Sequence, residues 1–147
     1  MTAHGFVVDT DKGRLDVDMI HGFLGAQAGW AAGMPRDVLQ RAIDGSLCFG
    51  VYAADGAQVA FARVITDQAT FAYLLDVFVL PAHRGQGHST RLMDVIIAHP
   101  GLQGLRRFML TTMTASALYA RYGFVPTPFA DALMERHDPD PYRARLV

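Results

Sequence analysis

The longest nearly unbroken apolar run in the chain, Phe71-Ala-Tyr-Leu-Leu-Asp-Val-Phe-Val-Leu80, has the length and composition of a strand covered on both faces, yet it carries Asp76 in its middle. Pro81-Ala-His-Arg-Gly-Gln-Gly-His-Ser-Thr90 ends that strand with small and turn-forming residues. Arg91 to His99 then carries helical apolar spacing at Leu92, Val95 and Ile96, stopped by Pro100 and Gly101. Upstream, Gly5 to Asp9 reads as a short strand, and Leu15, Val17, Ile20, Phe23 and Leu24 give a helix from Leu15 to about Gln27, loosened by Gly22, Gly25 and Gly29. Pro35 precedes a second helix, Arg36 to Gly45, with Val38, Leu39 and Ile43 on its apolar stripe. Leu47–Ala53 and Gln58–Ile65 are strands joined by the Asp55-Gly56 hairpin signal, so that with the central strand they form an antiparallel meander. Downstream, Leu105–Leu110 reads as a strand parallel to the central one, because a helix separates the two. Ala115–Tyr122 reads as a short helix ended by Gly123, and Leu133–His137 as a last strand before an irregular Asp-Pro-Asp-Pro tail.

A strand, a tight turn and a helix N-terminus make a place to hold an anion, because first-turn N–H groups point outward and carry partial positive charge. Gly85 and Gly87 clear side chains from those donors and Arg84 adds a guanidinium fork. The turn has no Lys-Ser or Lys-Thr pair and the chain's one lysine is Lys12, which argues against a nucleoside triphosphatase. Two glycines, reached only after several strands, serve a dinucleotide fold poorly.

The 147 residues suit one domain, and 51% hydrophobic with 18% charged residues favours a compact globule. A net charge of -1 gives no reason to expect a nucleic-acid or acidic-membrane partner, and no run has the length of a membrane helix or the pattern of a signal peptide. Cys48 is the single cysteine, which excludes an internal disulfide and makes a reducing cytoplasm the default; Leu47-Cys-Phe-Gly-Val marks it as a buried strand thiol. The six histidines show no metal-ligand spacing. His83 and His88 flank the turn, where they could meet phosphates or simply be solvated. Trp30, on a glycine-rich loop, suits a hydrophobic plug or a pocket wall.

With these residues in view, the sequence resembles the GNAT superfamily of acetyl-coenzyme A-dependent N-acetyltransferases. The first family motif is approached by Arg84-Gly-Gln-Gly87-His-Ser89 after the strand exit Val79-Leu-Pro81, and the second by Leu118-Tyr119-Ala-Arg-Tyr-Gly123-Phe124. The resemblance covers about residues 47–125. It implies a mixed, mostly antiparallel α/β sheet, splayed at the central strand, with helices on both faces and the coenzyme's arm in the splay. It implies diphosphate binding on Gln86, Gly87, His88, Ser89 and Thr90 beside Arg84 and Gly85, and carbonyl polarisation by N–H groups of Val77, Phe78 and Val79. Tyr119 becomes the general acid for the departing thiolate, with Tyr122 as the nearby competitor. Asp76 becomes a base or a substrate anchor, with a structural role as partner of an arginine or a backbone group as the alternative. Ser89 stands where the family has Gly or Ala, and Thr112 stands near a family asparagine on the coenzyme arm. His21, Trp30, Tyr52 and Arg63 are acceptor-pocket candidates. The implied activity is acetyl transfer from acetyl-CoA, without a metal, to a small-molecule primary amine. The alternatives are a noncatalytic acyl-CoA sensor, motivated by Ser89 and Thr112, and acetylation of a protein or peptide. An exposed sheet edge or the C-terminal strand would suit a homodimer.

Overall fold

The structure is a computed structural model that describes residues 5–26 and 32–142. Its centre is one five-stranded sheet in the order of the sequence: β1 (Val7–Asp9), β2 (Leu47–Tyr52), β3 (Gln58–Thr66), β4 (Phe71–Val79) and β5 (Arg107–Leu110). Successive strands are antiparallel except β4 and β5, which run parallel because helix α3 (His88–Ala98) crosses between them. Gly56, at φ +91, turns the β2–β3 hairpin, and Ala53 and Ala57 close it with a 2.8 Å backbone bond.

The apolar pattern fills both faces. Ala60, Ala62, Val64, Ala72 and Leu74 pack against Leu92, Met93 and Ile96 of α3. On the opposite face Cys48, Phe61 and Phe78 meet Ile20, Phe23 and Leu24 of α1 (Val17–Ala26) and Leu39 and Ile43 of α2 (Arg36–Asp44). β4 buries Ala72 and Leu74 on the α3 face and Phe78 on the α1 face, while Phe71 stays exposed at 40%, so its continuous apolar run is covered on the α1 face only near its end. Cys48 is buried at 2% exposure, and burial pushes its thiol up to about 11, so it stays a neutral packing group near neutral pH.

Two irregularities of β4 shape everything that follows. First, the register against β3 slips: Arg63 faces Leu75 while Phe61 faces Phe78, so two residues, Asp76 and Val77, oppose the single Ala62. Asp76 absorbs the slip at φ +54, a left-handed angle that Asp tolerates better than most residues. The extra residue reverses the alternation: Ala72 and Leu74 before it, and Val77 and Val79 after it, all belong to the α3 face. Second, β5 pairs only with Phe71–Leu74 and ends at Leu110, which leaves the second half of β4 with no strand on that side. That is the expected splay. Short helix α4 (Ser116–Ala120) follows β5 and sends Tyr119 into the α3-side core.

Two element assignments differ from the sequence reading. Helix α3 begins at His88, three residues before the expected start at Arg91 and four before the apolar stripe at Leu92. The expected strand at Leu133–His137 does not form; after a single 3-10 turn at Ala130–Ala132 the segment is exposed, Met134 to 97%. Its two apolar residues lead straight into charged ones, and Pro139 and Pro141 withhold ladder donors just beyond.

Candidate active site

The splay opens into a cleft of about 550 Å³ between the C-terminal half of β4, the turn before α3 and the α4 helix. Val77, Phe78 and Val79 form one wall, Arg84, Gly85, Gly87, His88, Ser89 and Thr90 line one end, and Tyr119 lines the α4 side. Strand pairing explains the wall: with β5 gone, no neighbouring strand occupies the β5 side of β4 from Leu75 onward.

The turn has the geometry an anion cradle needs. Gly85 and Gly87 adopt φ +76 and +82, closed to most side chains, and Gly87 sits at the N-cap of α3 with no side-chain cap over the first helical N–H groups. Arg84 Nε donates to the Val79 carbonyl at 3.2 Å, tying the turn to the strand exit. Arg91 Nη1 donates to the Gln86 carbonyl at 2.5 Å and lies 3.0 Å from His88 Nδ1. His88 is buried at 2% exposure against the edge of Phe6. An uncapped helix start, flanked by arginines at the mouth of a cleft, fits a diphosphate, so the residues present fit coenzyme A.

Tyr119 is 8% exposed and bordered by Phe124. Burial holds its phenol above the ordinary value of 10.0, so it stays protonated across the neutral range. Tyr122, the competitor, is committed elsewhere: its hydroxyl donates to Asp94 Oδ1 at 2.7 Å and reaches the Thr90 carbonyl at 3.4 Å. Among the described residues only the first of these two tyrosines borders the cleft.

The remaining candidates divide. Gln86 lies in the turn but faces outward. Thr112 accepts the Ala115 N–H at 3.0 Å, shaping the approach to α4, and does not border the cleft. Asp76 and Arg63 meet each other: Arg63 Nε donates to Asp76 Oδ2 at 2.6 Å, with side-chain exposures of 10% and 5%. His21 Nε2 lies 2.8 Å from the Met34 carbonyl, joining α1 to the segment before α2. Tyr52 is fully buried, its ring 4.0 Å under the Arg14 guanidinium, and burial pushes its phenol up to about 12. Neither residue borders the cleft. Trp30 lies outside the described residues.

The cleft also takes in Phe23 and Arg121, which sequence reasoning passed over. Phe23 stacks on Phe78 with centroids 4.0 Å apart, and in the sequence it is one more apolar position on an amphipathic helix. Arg121 Nη2 donates to Thr90 Oγ1 at 3.3 Å; its signal was its place two residues after Tyr119. No group of three or more His, Cys, Asp or Glu side chains suited to a metal occurs among the described residues.

Residues 45–126 match the family model described as acetyltransferase (GNAT) domain. The chain belongs to the GNAT acetyltransferase family. A provisionally assigned acetyltransferase of that family from Xanthomonas campestris pv. campestris, known as a crystal structure, is 58% identical, with a TM-score of 0.90 over 94% of this chain and 96% of that one. A provisionally assigned acetyltransferase from Gibberella zeae is 34% identical over 82% of this chain and 78% of its own. Glucosamine-6-phosphate N-acetyltransferase from Arabidopsis thaliana shares the fold at 14% identity, with a TM-score of 0.63 over 90% and 97% of the two chains. Membership in this GNAT family makes the chain an enzyme of acyl transfer from acetyl-CoA, and sets aside the noncatalytic reading.

Proposed function

We propose that this acetyltransferase acetylates the primary amine of a small molecule in a ternary complex with acetyl-CoA. The observation that carries the proposal is one cleft that joins the glycine turn, the second half of β4 where β5 no longer pairs with it, and the Tyr119 phenol. The coenzyme supplies an acetyl group activated as a thioester. The N–H groups of His88, Ser89 and Thr90 and the Arg84 guanidinium bind its diphosphate. N–H groups among Val77–Val79 polarise the thioester carbonyl, and because the strand fixes them beforehand they need no reorganisation during reaction. Tyr119 donates a proton to the departing thiolate.

Small-molecule acceptors are favoured over a peptide because the stacked Phe23 and Phe78 close the α1 side of the cleft with an apolar wall rather than a groove of free backbone groups. Asp76 is a poor candidate base: its carboxylate is committed to the Arg63 guanidinium, and neither residue borders the cleft. The attacking amine therefore enters as its free base and releases its proton to water in the open cleft.

The test is turnover of acetyl-CoA against a panel of small amines and lysine-bearing peptides, for the parent and Tyr119→Phe. Turnover of small amines that falls about a hundredfold in the variant supports the proposal. Turnover of peptides alone, or a variant as active as the parent, overturns it.

A further inference from the structure

The buried pair on the far side of the bulge has no place in the chemistry above, and its geometry gives it one. Ser46, just past the end of α2, donates its hydroxyl to the Ala42 carbonyl at 2.6 Å and accepts from Arg63 Nη1 at 3.1 Å. Arg63 Nε in turn donates to Asp76 Oδ2 at 2.6 Å. The hydrogen bonds thus run without a break from the last turn of α2, across β3, to the one β4 residue with a left-handed backbone angle. Neither Arg63 nor Asp76 borders the cleft, whereas Val77, the next residue along, does.

We infer that Arg63 and Asp76 are a positioning pair that clamps the β4 bulge and so aims the Val77–Val79 N–H groups into the cleft. A non-glycine residue at positive φ persists only where its surroundings hold it there, and an ion pair with both members buried holds direction better than an apolar contact would. If the clamp is released, the two-for-one register between Phe61 and Arg63 relaxes toward regular pairing, and the N–H groups beyond it turn with the strand. The pair acts on the carbonyl end of the coenzyme and leaves the phosphate turn, on the other side of Pro81, untouched. The inference rests on the proposed role of the Val77–Val79 N–H groups.

The test uses the full chain in five forms: parent, Arg63→Met, Asp76→Ala, Asp76→Gly and the Arg63→Met/Asp76→Ala double variant. Each is measured for kcat and KM for acetyl-CoA, with thermal melting as a check on folding. The amide resonances of Val77 and Thr90 are compared with acetyl-CoA and with free coenzyme A, which lacks the acetyl carbonyl. Expected are kcat losses of about tenfold to a hundredfold in Arg63→Met and Asp76→Ala with KM within about twofold. The double variant should be no worse than either single one. Asp76→Gly should recover much of the loss, because glycine adopts the bulge angle unaided. Val77 should respond to the acetyl group in the parent and Asp76→Gly only, while Thr90 responds to the coenzyme in all five. An Arg63→Met variant with parental kcat and an intact Val77 response overturns the inference, and so does an Asp76→Gly variant as inactive as Asp76→Ala, which would assign the loss to the carboxylate itself. A parent whose Val77 amide ignores the acetyl group overturns the proposed carbonyl site itself, a failure distinguishable because it needs no variant.

Discussion

Tyr119 and Tyr122 lie three residues apart in one short motif, and the difference between them is environmental. Both phenols are raised above 10.0, Tyr119 by burial at the cleft and Tyr122 by burial first and then by its bond to Asp94. A phenol raised in this way is protonated at every pH below its ordinary value and begins to lose its proton only above it. The Tyr119 proton should therefore contribute no descending limb to the kcat profile between pH 6 and about 9, a limb that stopped-flow or steady-state turnover would reveal. Tyr122→Phe should retain most turnover. Tyr52→Phe should be neutral or raise stability by up to about 1 kcal/mol in a denaturant melt, since its fully buried hydroxyl finds no hydrogen-bond partner among the described residues. At this scale the sequence was a partial guide. A carboxylate inside an apolar strand demanded a partner, and Arg63 is that partner, but only the folded register brings two residues 13 apart to 2.6 Å. His21, Tyr52 and Arg63 shared polarity and a plausible location, and nothing in local spacing distinguishes a pocket side chain from one that ties two elements together.

Among the elements, the turn before α3 was the most legible, because glycine at φ +76 and +82 has few substitutes and leaves its mark directly in the sequence. Gly87→Val should raise the Kd for coenzyme A by at least about tenfold in calorimetry, since a β-branched side chain strains that left-handed angle and unsettles the helix start. Removal of the acetyl group from the ligand should not alter that ratio. The bulge in β4 was less legible: a nearly unbroken apolar run shows no alternation in the sequence, so the reversal between Leu74 and Val77 is invisible until the two cores are known. The C-terminal strand failed for a related reason. A short apolar pair satisfies a strand pattern, but a strand exists only with a ladder partner, and partners are a property of the sheet.

For the molecule as a whole, burial makes the alkaline limit the informative one. The Cys48 thiol rises from an ordinary 9.0 to about 11 and the Tyr52 phenol from 10.0 to about 12. Because both folded values are raised, the stability linked to them is fully present below pH 9 and is lost as pH climbs through 11 and 12. The melting temperature should hold level to about pH 9 and then fall, and Cys48→Ala should delay the fall, with up to about 3 kcal/mol at stake for that one thiol. The arrangement of the whole, two cores on one sheet and a cleft where the sheet divides, was accessible from the order of elements and two short motifs. The acceptor was not: the α1 residue that borders the cleft, Phe23, looks in the sequence like any other apolar position of an amphipathic helix.

The most direct measurement is a crystal structure of the protein with acetyl-CoA. The diphosphate should rest on the N–H groups of His88–Thr90, the thioester carbonyl should meet a Val77–Val79 N–H, and the sulfur should lie within about 3.5 Å of the Tyr119 hydroxyl. A diphosphate bound away from that turn, or a sulfur out of reach of Tyr119, would contradict the account.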